Sequence, residues 1–270
     1  MNRLEHRIQE VLRRGEKVLC GVLPLGDPDL QTSQRLVGLF LDAGVDIVEL
    51  MIPSRDPYFD SSQIYGACRR ALRGESAFDV YLDTIGEIRS AFPEEPFEVM
   101  TYADVVDELG VERFVQRLDE ANIQAHLLAD SIAADPSLLR EMDSLLARAS
   151  TPRIRFMPHP FREDLLLDIA ENARGFMILQ SIADDQGERP TVDPRNRELI
   201  DRLREAGTQA AILLGYGVRD PERMQEAVDL NPDGVIVGSA IMDRIADEDF
   251  DGLDELLRNL KSVMKPEGRR

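Results

Sequence analysis

The chain has 270 residues, of which 51 are acidic and 32 basic, for a net charge of -19. That balance repels phosphate backbones and anionic lipid surfaces, so nucleic-acid and membrane partners are not expected. Lysine occurs only at Lys17, Lys261 and Lys265, and the resulting arginine-rich, strongly acidic composition resembles that of salt-adapted proteins, which bears on solubility and habitat and leaves the fold open.

Residues 1–17 read as an amphipathic, Arg- and Glu-rich helix and not as an apolar leader. Eight short apolar runs follow: Leu19–Leu25, Ile47–Ile52, Phe97–Tyr102, Ala125–Ala129, Ile154–Met157, Phe176–Gln180, Ala210–Tyr216 and Val235–Ala240. Each precedes a segment of helical period, namely Gln31–Ala43, Gln63–Arg73 with Ala77–Phe92, Val111–Ala121, Pro136–Ala149, Glu163–Ala173, Asn196–Ala206, Pro221–Leu230 and Phe250–Met264. Asp135-Pro136 and Asp220-Pro221 have the form of an N-cap followed by a first-turn proline. Gly44, Gly74, Gly175 and Gly207 fall near helix ends, where positive φ must be tolerated.

No linker, repeat or low-complexity tract interrupts the series, so 1–270 is expected to be one domain, with the 1–17 helix and a 247–270 closing helix and tail as additions. Eight strand–helix units in a row predict the α/β class and a (β/α)8 TIM barrel. Cys20 and Cys68 form no disulfide framework, and with His6, His126 and His159 they show no metal spacing. A reducing, cytoplasmic location is expected, since no apolar run reaches the ~18 residues of a membrane span.

In such a barrel, chemistry collects where strands end and loops begin. The second run carries Glu49 between apolar neighbours and ends in a polar loop with Arg55, Asp56 and Asp60. Two readings of Glu49 stand. Aimed into a pocket, its pKa rises and it suits proton transfer near neutral pH; paired with an arginine such as Arg55, it is structural. Gly215-Tyr216-Gly217 and Gly238-Ser239-Ala240, after the seventh and eighth runs, favour a phosphate site.

Other residues invite plainer readings. His159, between two prolines, is a ligand or a loop-ordering residue. His126 reads as a core or helix-facing residue, Asp27 and Asp130 as loop-ordering carboxylates, and Met51, Met100 and Met157 as barrel-interior packers.

From Leu19 to about Ile245 the chain resembles the α subunit of tryptophan synthase. The likeness rests on Leu25-Gly26-Asp27-Pro28, Asp42-Ala43-Gly44-Val45-Asp46-Ile47-Val48-Glu49-Leu50, Pro53, Asp56-Pro57, Asp60, Met100-Thr101-Tyr102, Ala129-Asp130, Gly215-Tyr216-Gly217-Val218 with Pro221-Glu222, and Val237-Gly238-Ser239-Ala240-Ile241. The resemblance implies a (β/α)8 barrel that cleaves indole-3-glycerol phosphate to indole and glyceraldehyde 3-phosphate with no cofactor of its own, in complex with a pyridoxal-phosphate β subunit. It implies Glu49 as the acid/base and Asp60 as the carboxylate that holds the indole N–H. It further implies Tyr102, Leu127 and Ala129 as lining residues and Gly217, Gly238 and Ser239 as phosphate contacts.

Departures from the family pattern are local. Ser61-Ser62 replace Gly-Pro after Asp60, Pro24 replaces a threonine, and Ile178 replaces a tyrosine. The loop after the sixth run reads Ser181-Ile182-Ala183-Asp184-Asp185-Gln186-Gly187. Its two carboxylates would each repel a phosphate by roughly 1 kcal/mol at surface-like dielectric, partly offset by Arg189. These departures keep two alternatives in view: an aldol-type lyase acting on a different phosphorylated metabolite, and a catalytically idle barrel that regulates a β-type partner.

Overall fold

The computed structural model describes residues 1–58, 60–184, 191–215 and 217–266, with 183, 184 and 191 as backbone. Ten strands occur among them: β1 (Val18–Pro24), β2 (Ile47–Met51), β3 (Phe97–Thr101), β4 (Ala125–Leu128), β5 (Arg155–Met157), β6 (Phe176–Gln180), β7 (Ala183–Asp184), β8 (Thr191–Val192), β9 (Ala211–Gly215) and β10 (Gly234–Val237). All but β7 and β8 join one parallel sheet in the order β4-β3-β2-β1-β10-β9-β6-β5. A parallel bridge between His126 and Arg153 brings the two edges together and closes the barrel.

The helices are α1 (Arg3–Arg13), α2 (Leu30–Asp42), α3 (Ser62–Gly74), α4 (Phe78–Ala91), α5 (Ala103–Leu109), α6 (Val111–Glu120), α7 (Pro136–Arg148), α8 (Glu163–Asn172), α9 (Asn196–Glu205), α10 (Pro221–Asp229), α11 (Ser239–Ala246) and α12 (Phe250–Val263). The (β/α)8 barrel expected from the apolar runs is the fold observed, with most element ends within a residue of expectation. Asp135 and Asp220 cap α7 and α10 with Pro136 and Pro221 in the first turn.

Four details differ. Ser239 and Ala240, read as strand, open α11, because an apolar run such as Val235–Ala240 does not reveal where a buried strand passes into a buried helix. The short helix α5 and the antiparallel pair β7–β8 carry too little periodicity to be seen in sequence. Gly44, Gly175 and Gly207 do have positive φ, but Gly74 does not, since α3 passes straight into the extended residue Glu75. Met157 packs in the outer layer, while Met51 and Met100 are interior. Asp185, Gln186, Gly187, Arg189, Tyr216 and the side chain of Asp184 lie outside the described residues.

Strand alternation divides the core into two layers. Leu19, Leu23, Val48, Leu50, Val99 and Leu128 face the helices. Cys20, Val22, Ile47, Met51, Met100, Leu127, Ile178 and Ile236 fill the barrel. Leu4, Ile8 and Val11 of α1 join this inner cluster, so the N-terminal helix plugs the floor and leaves the opposite mouth for chemistry.

The floor is crowded where β10 lies beside β1. A Cβ on Gly234 would fall 2.4 Å from the Val18 carbonyl oxygen and 2.8 Å from its Cβ. Gly234→Ala is expected to lower unfolding free energy by about 2–3 kcal/mol, read as a shifted urea midpoint at unchanged slope.

Candidate active site

Glu49 is central to β2, and Ile47 and Met51 on either side of it belong to the inner cluster. Side chains two apart share a face of a strand, so Glu49 points into the barrel. It is 1 % exposed, and its Oε2 lies buried without a hydrogen-bond partner. The alternative pairing with Arg55 is not formed, because that guanidinium reaches Glu108 on α5 at 2.8 Å, out at the surface. Burial, with the nearby Asp60 charge, pushes the Glu49 carboxyl up to about 7.

The loop after β2 is built to return towards the mouth. The Ser54 hydroxyl and the Arg55 N–H both donate to Asp104, at 3.0 and 2.9 Å, fixing the loop against the start of α5. Asp60 then accepts a hydrogen bond from the Tyr102 hydroxyl, which stands just beyond β3. Burial raises the Asp60 carboxyl to about 6, and the Tyr102 hydrogen bond restrains the rise. Glu49 and Asp60 are therefore two carboxyls of different setting. One is sealed within a strand, and the other is loop-borne and held by a phenol.

Leu127 is buried on the interior face of β4, and Ala129 follows it in partial contact with the same cluster. With Tyr102 they put apolar surface beside the carboxyls. Asp130 orders the neighbouring loops as expected, accepting from the Ala103 N–H at 3.0 Å and the Tyr58 hydroxyl at 3.3 Å. Asp27 is likewise structural, fully buried and clasped by Arg70 at 2.7 and 2.8 Å. His126 packs outward, edge-on to Phe114. His159 is exposed, and its backbone N–H donates to the Gln180 side chain.

Gly238 is buried at the end of β10, and α11 starts immediately after it with no side chain capping its first N–H groups. Gly217 follows β9, the neighbouring strand, exposed and at φ +102°. The Ser239 hydroxyl lies 2.9 Å from that of Ser61, so the residue after Asp60 reaches the start of α11. The uncapped start of α11 is a place where backbone N–H groups suit an anion. The sixth-strand loop is anchored at its base by Asn196, whose side chain bonds both the N–H and the carbonyl of Ile182.

Two residues at the site carry no local sequence signal that marks them. Ser61 lies in the polar loop next to Asp60, and Glu98 of β3 sits in an apolar run as Glu49 does. Glu98 is registered directly against Glu49 across the β2–β3 ladder, and its neighbours Phe97 and Val99 face outward, which turns it inward. Among the described residues no group of three or more His, Cys, Asp and Glu is arranged to hold a metal ion, and no helix is long and apolar enough to cross a membrane.

The family model described as Tryptophan synthase alpha chain matches residues 8–266. The tryptophan synthase alpha chain of Methanoregula boonei is 31% identical over 263 residues, covering 96% of this chain and 97% of its own. That of Methanothermobacter thermautotrophicus is 32% identical over 242 residues, covering 88% and 86%. The solved tryptophan synthase of Mycobacterium tuberculosis superposes with a TM-score of 0.85 at 26% identity, over 98% of this chain and 99% of that one. With an inward glutamate, a phenol-held aspartate and glycines at the last two strand ends already in place, the match over nearly the full length is decisive: the chain belongs to the tryptophan synthase alpha chain family, whose members split indole-3-glycerol phosphate into indole and glyceraldehyde 3-phosphate.

Proposed function

We propose that Glu49 and Asp60 are the pair that carries out the family's carbon–carbon cleavage in this chain. The observation that carries the reading is the inward aim of Glu49 with an unpartnered carboxyl oxygen in an apolar barrel. Protonated Glu49 gives its proton to indole C3, which leaves positive charge on the ring nitrogen. Ionised Asp60 accepts the indole N–H and stabilises that charge. The Glu49 carboxylate then takes the proton of the adjacent glycerol hydroxyl. As the aldehyde C=O forms, the C–C bond breaks and its electron pair returns to the ring, restoring indole.

Tyr102, Leu127 and Ala129 line the indole end. The backbone N–H groups of Gly217, Gly238 and Ser239 bind the phosphate, where the start of α11 favours negative charge. The partners we propose are this phosphorylated substrate and a β-type subunit, in the cytoplasm.

Indole release from indole-3-glycerol phosphate, followed across pH with and without a β-type subunit, tests the reading. Glu49 acting first as an acid and Asp60 as a carboxylate give a bell, with an acid limb near pH 6 and an alkaline limb near pH 7. No indole at any salt concentration would count against it.

A further inference from the structure

Glu98 is a second carboxyl sealed inside the barrel beside the first. It is fully buried, it is the Cα register partner of Glu49, and neither of its carboxyl oxygens has a partner of ordinary hydrogen-bond geometry. Adjacent residues on neighbouring parallel strands stand about 5 Å apart. Two inward carboxyls at that spacing stand side by side inside the barrel.

Two neighbouring carboxylates cannot both be ionised in an apolar interior, so at least one keeps a proton. Several surroundings decide which one. Ionised Asp60 acts on Glu49 from the loop after β2, with Tyr102 holding that aspartate from beyond β3. Cys20 on β1 feels both glutamates, and burial keeps its thiol protonated. From β4, the Leu127 backbone N–H acts on Glu98 and favours its charged form, against burial and the Glu49 charge. Glu98 is fully buried, and burial together with the Glu49 charge holds its carboxyl well above the usual range.

We propose that Glu98 is a positioning residue of this site, a carboxylic acid that stays neutral and donates its O–H to the Glu49 carboxylate, orienting it and leaving Glu49 alone to exchange protons with the substrate. The proposal rests on the lyase reading for its kinetic consequence but not for its protonation state, and two readouts keep the two apart. A neutral donor stabilises the ionised form of Glu49. In Glu98→Leu, which removes the donor, the alkaline limb of kcat/KM should therefore move to higher pH by about one pH unit. In Glu98→Gln, which keeps an N–H donor and cannot ionise, the limb should stay near its parental place.

An ionised Glu98 would give the opposite sign, because removing a negative neighbour lowers the limb. A purely packing role would leave the limb unmoved in Glu98→Leu. Either result overturns the proposal.

The second readout needs no turnover. Infrared spectra of the full chain at about pH 8.5, above the Glu49 ionisation, should show a protonated buried carboxylic acid that persists in Glu49→Gln and is lost in Glu98→Gln. Absence of that band from the parent chain also overturns the proposal. A parent chain that shows the band but releases no indole defeats the lyase reading and leaves the neutral Glu98 standing.

Discussion

Replacing Glu49 by Gln is expected to lower indole release by about 10²–10⁴-fold, the usual worth of a positioned acid/base, and at the same time to make the protein more stable above neutral pH. Both effects have one cause. Glu49 titrates at about 7 in the folded chain against an ordinary value of 4.5, because burial disfavours its charge. A carboxyl with a raised folded-state pKa contributes its full stability below the unfolded value and loses it as pH rises through the folded one. Above about pH 7 the folded chain therefore holds a carboxylate that an unfolded chain would solvate.

Glutamine fills the same space and never ionises. The stability gap between variant and parent should open from about pH 4.5 to pH 7 and then level off at roughly 1–3 kcal/mol. At about 2–4 °C of melting temperature per kcal/mol for a chain of this size, thermal melts at pH 5 and pH 8 resolve it. Equal gaps at the two pH values would show that Glu49 does not carry the buried titration on which the proposed chemistry depends.

The burial of Glu49 is legible in the sequence, since the run Ile47 to Ile52 is apolar on both faces and a lone carboxylate in it is either functional or paired; its aim is not. What sequence could not decide was the pairing. Arg55 is six residues away and chemically suitable, yet the loop turns its guanidinium outward to Glu108, 53 residues further along. The same limit hid Glu98. Its run has the signature of the Glu49 run, but only the ladder register places the two side by side.

Ser61 reaches Ser239 across 178 residues, a contact that closure of the barrel creates and no local pattern announces. Strand ends, capping aspartates and the paired glycines are local chemistry and were readable in advance. The short α5 and the strand-to-helix change at Gly238 depend on tertiary packing and were not.

On the proposed mechanism Asp60 sets the acid side of the pH profile, and its removal is the second large effect expected. Asp60→Asn replaces an acceptor with charge by a neutral amide, so the cation on the indole nitrogen loses its counter-charge and kcat/KM should fall by about 10²–10³-fold. The acid limb should disappear with it. Burial raises the Asp60 carboxyl from its ordinary 3.8 to about 6, so the parent is expected to lose activity as protons add to this carboxylate below that value. The Tyr102 hydroxyl supports the ionised form by donating to Asp60. Tyr102→Phe keeps the ring against Tyr58 but removes the donor, which raises the Asp60 pKa further and shifts the acid limb towards neutrality. The alkaline limb, set by Glu49, moves little, so the bell narrows from its acid side. Were the acid limb to hold its place in Tyr102→Phe, or to survive in Asp60→Asn, the group titrating there would be some carboxyl other than Asp60, and the charge-stabilising role would pass to it.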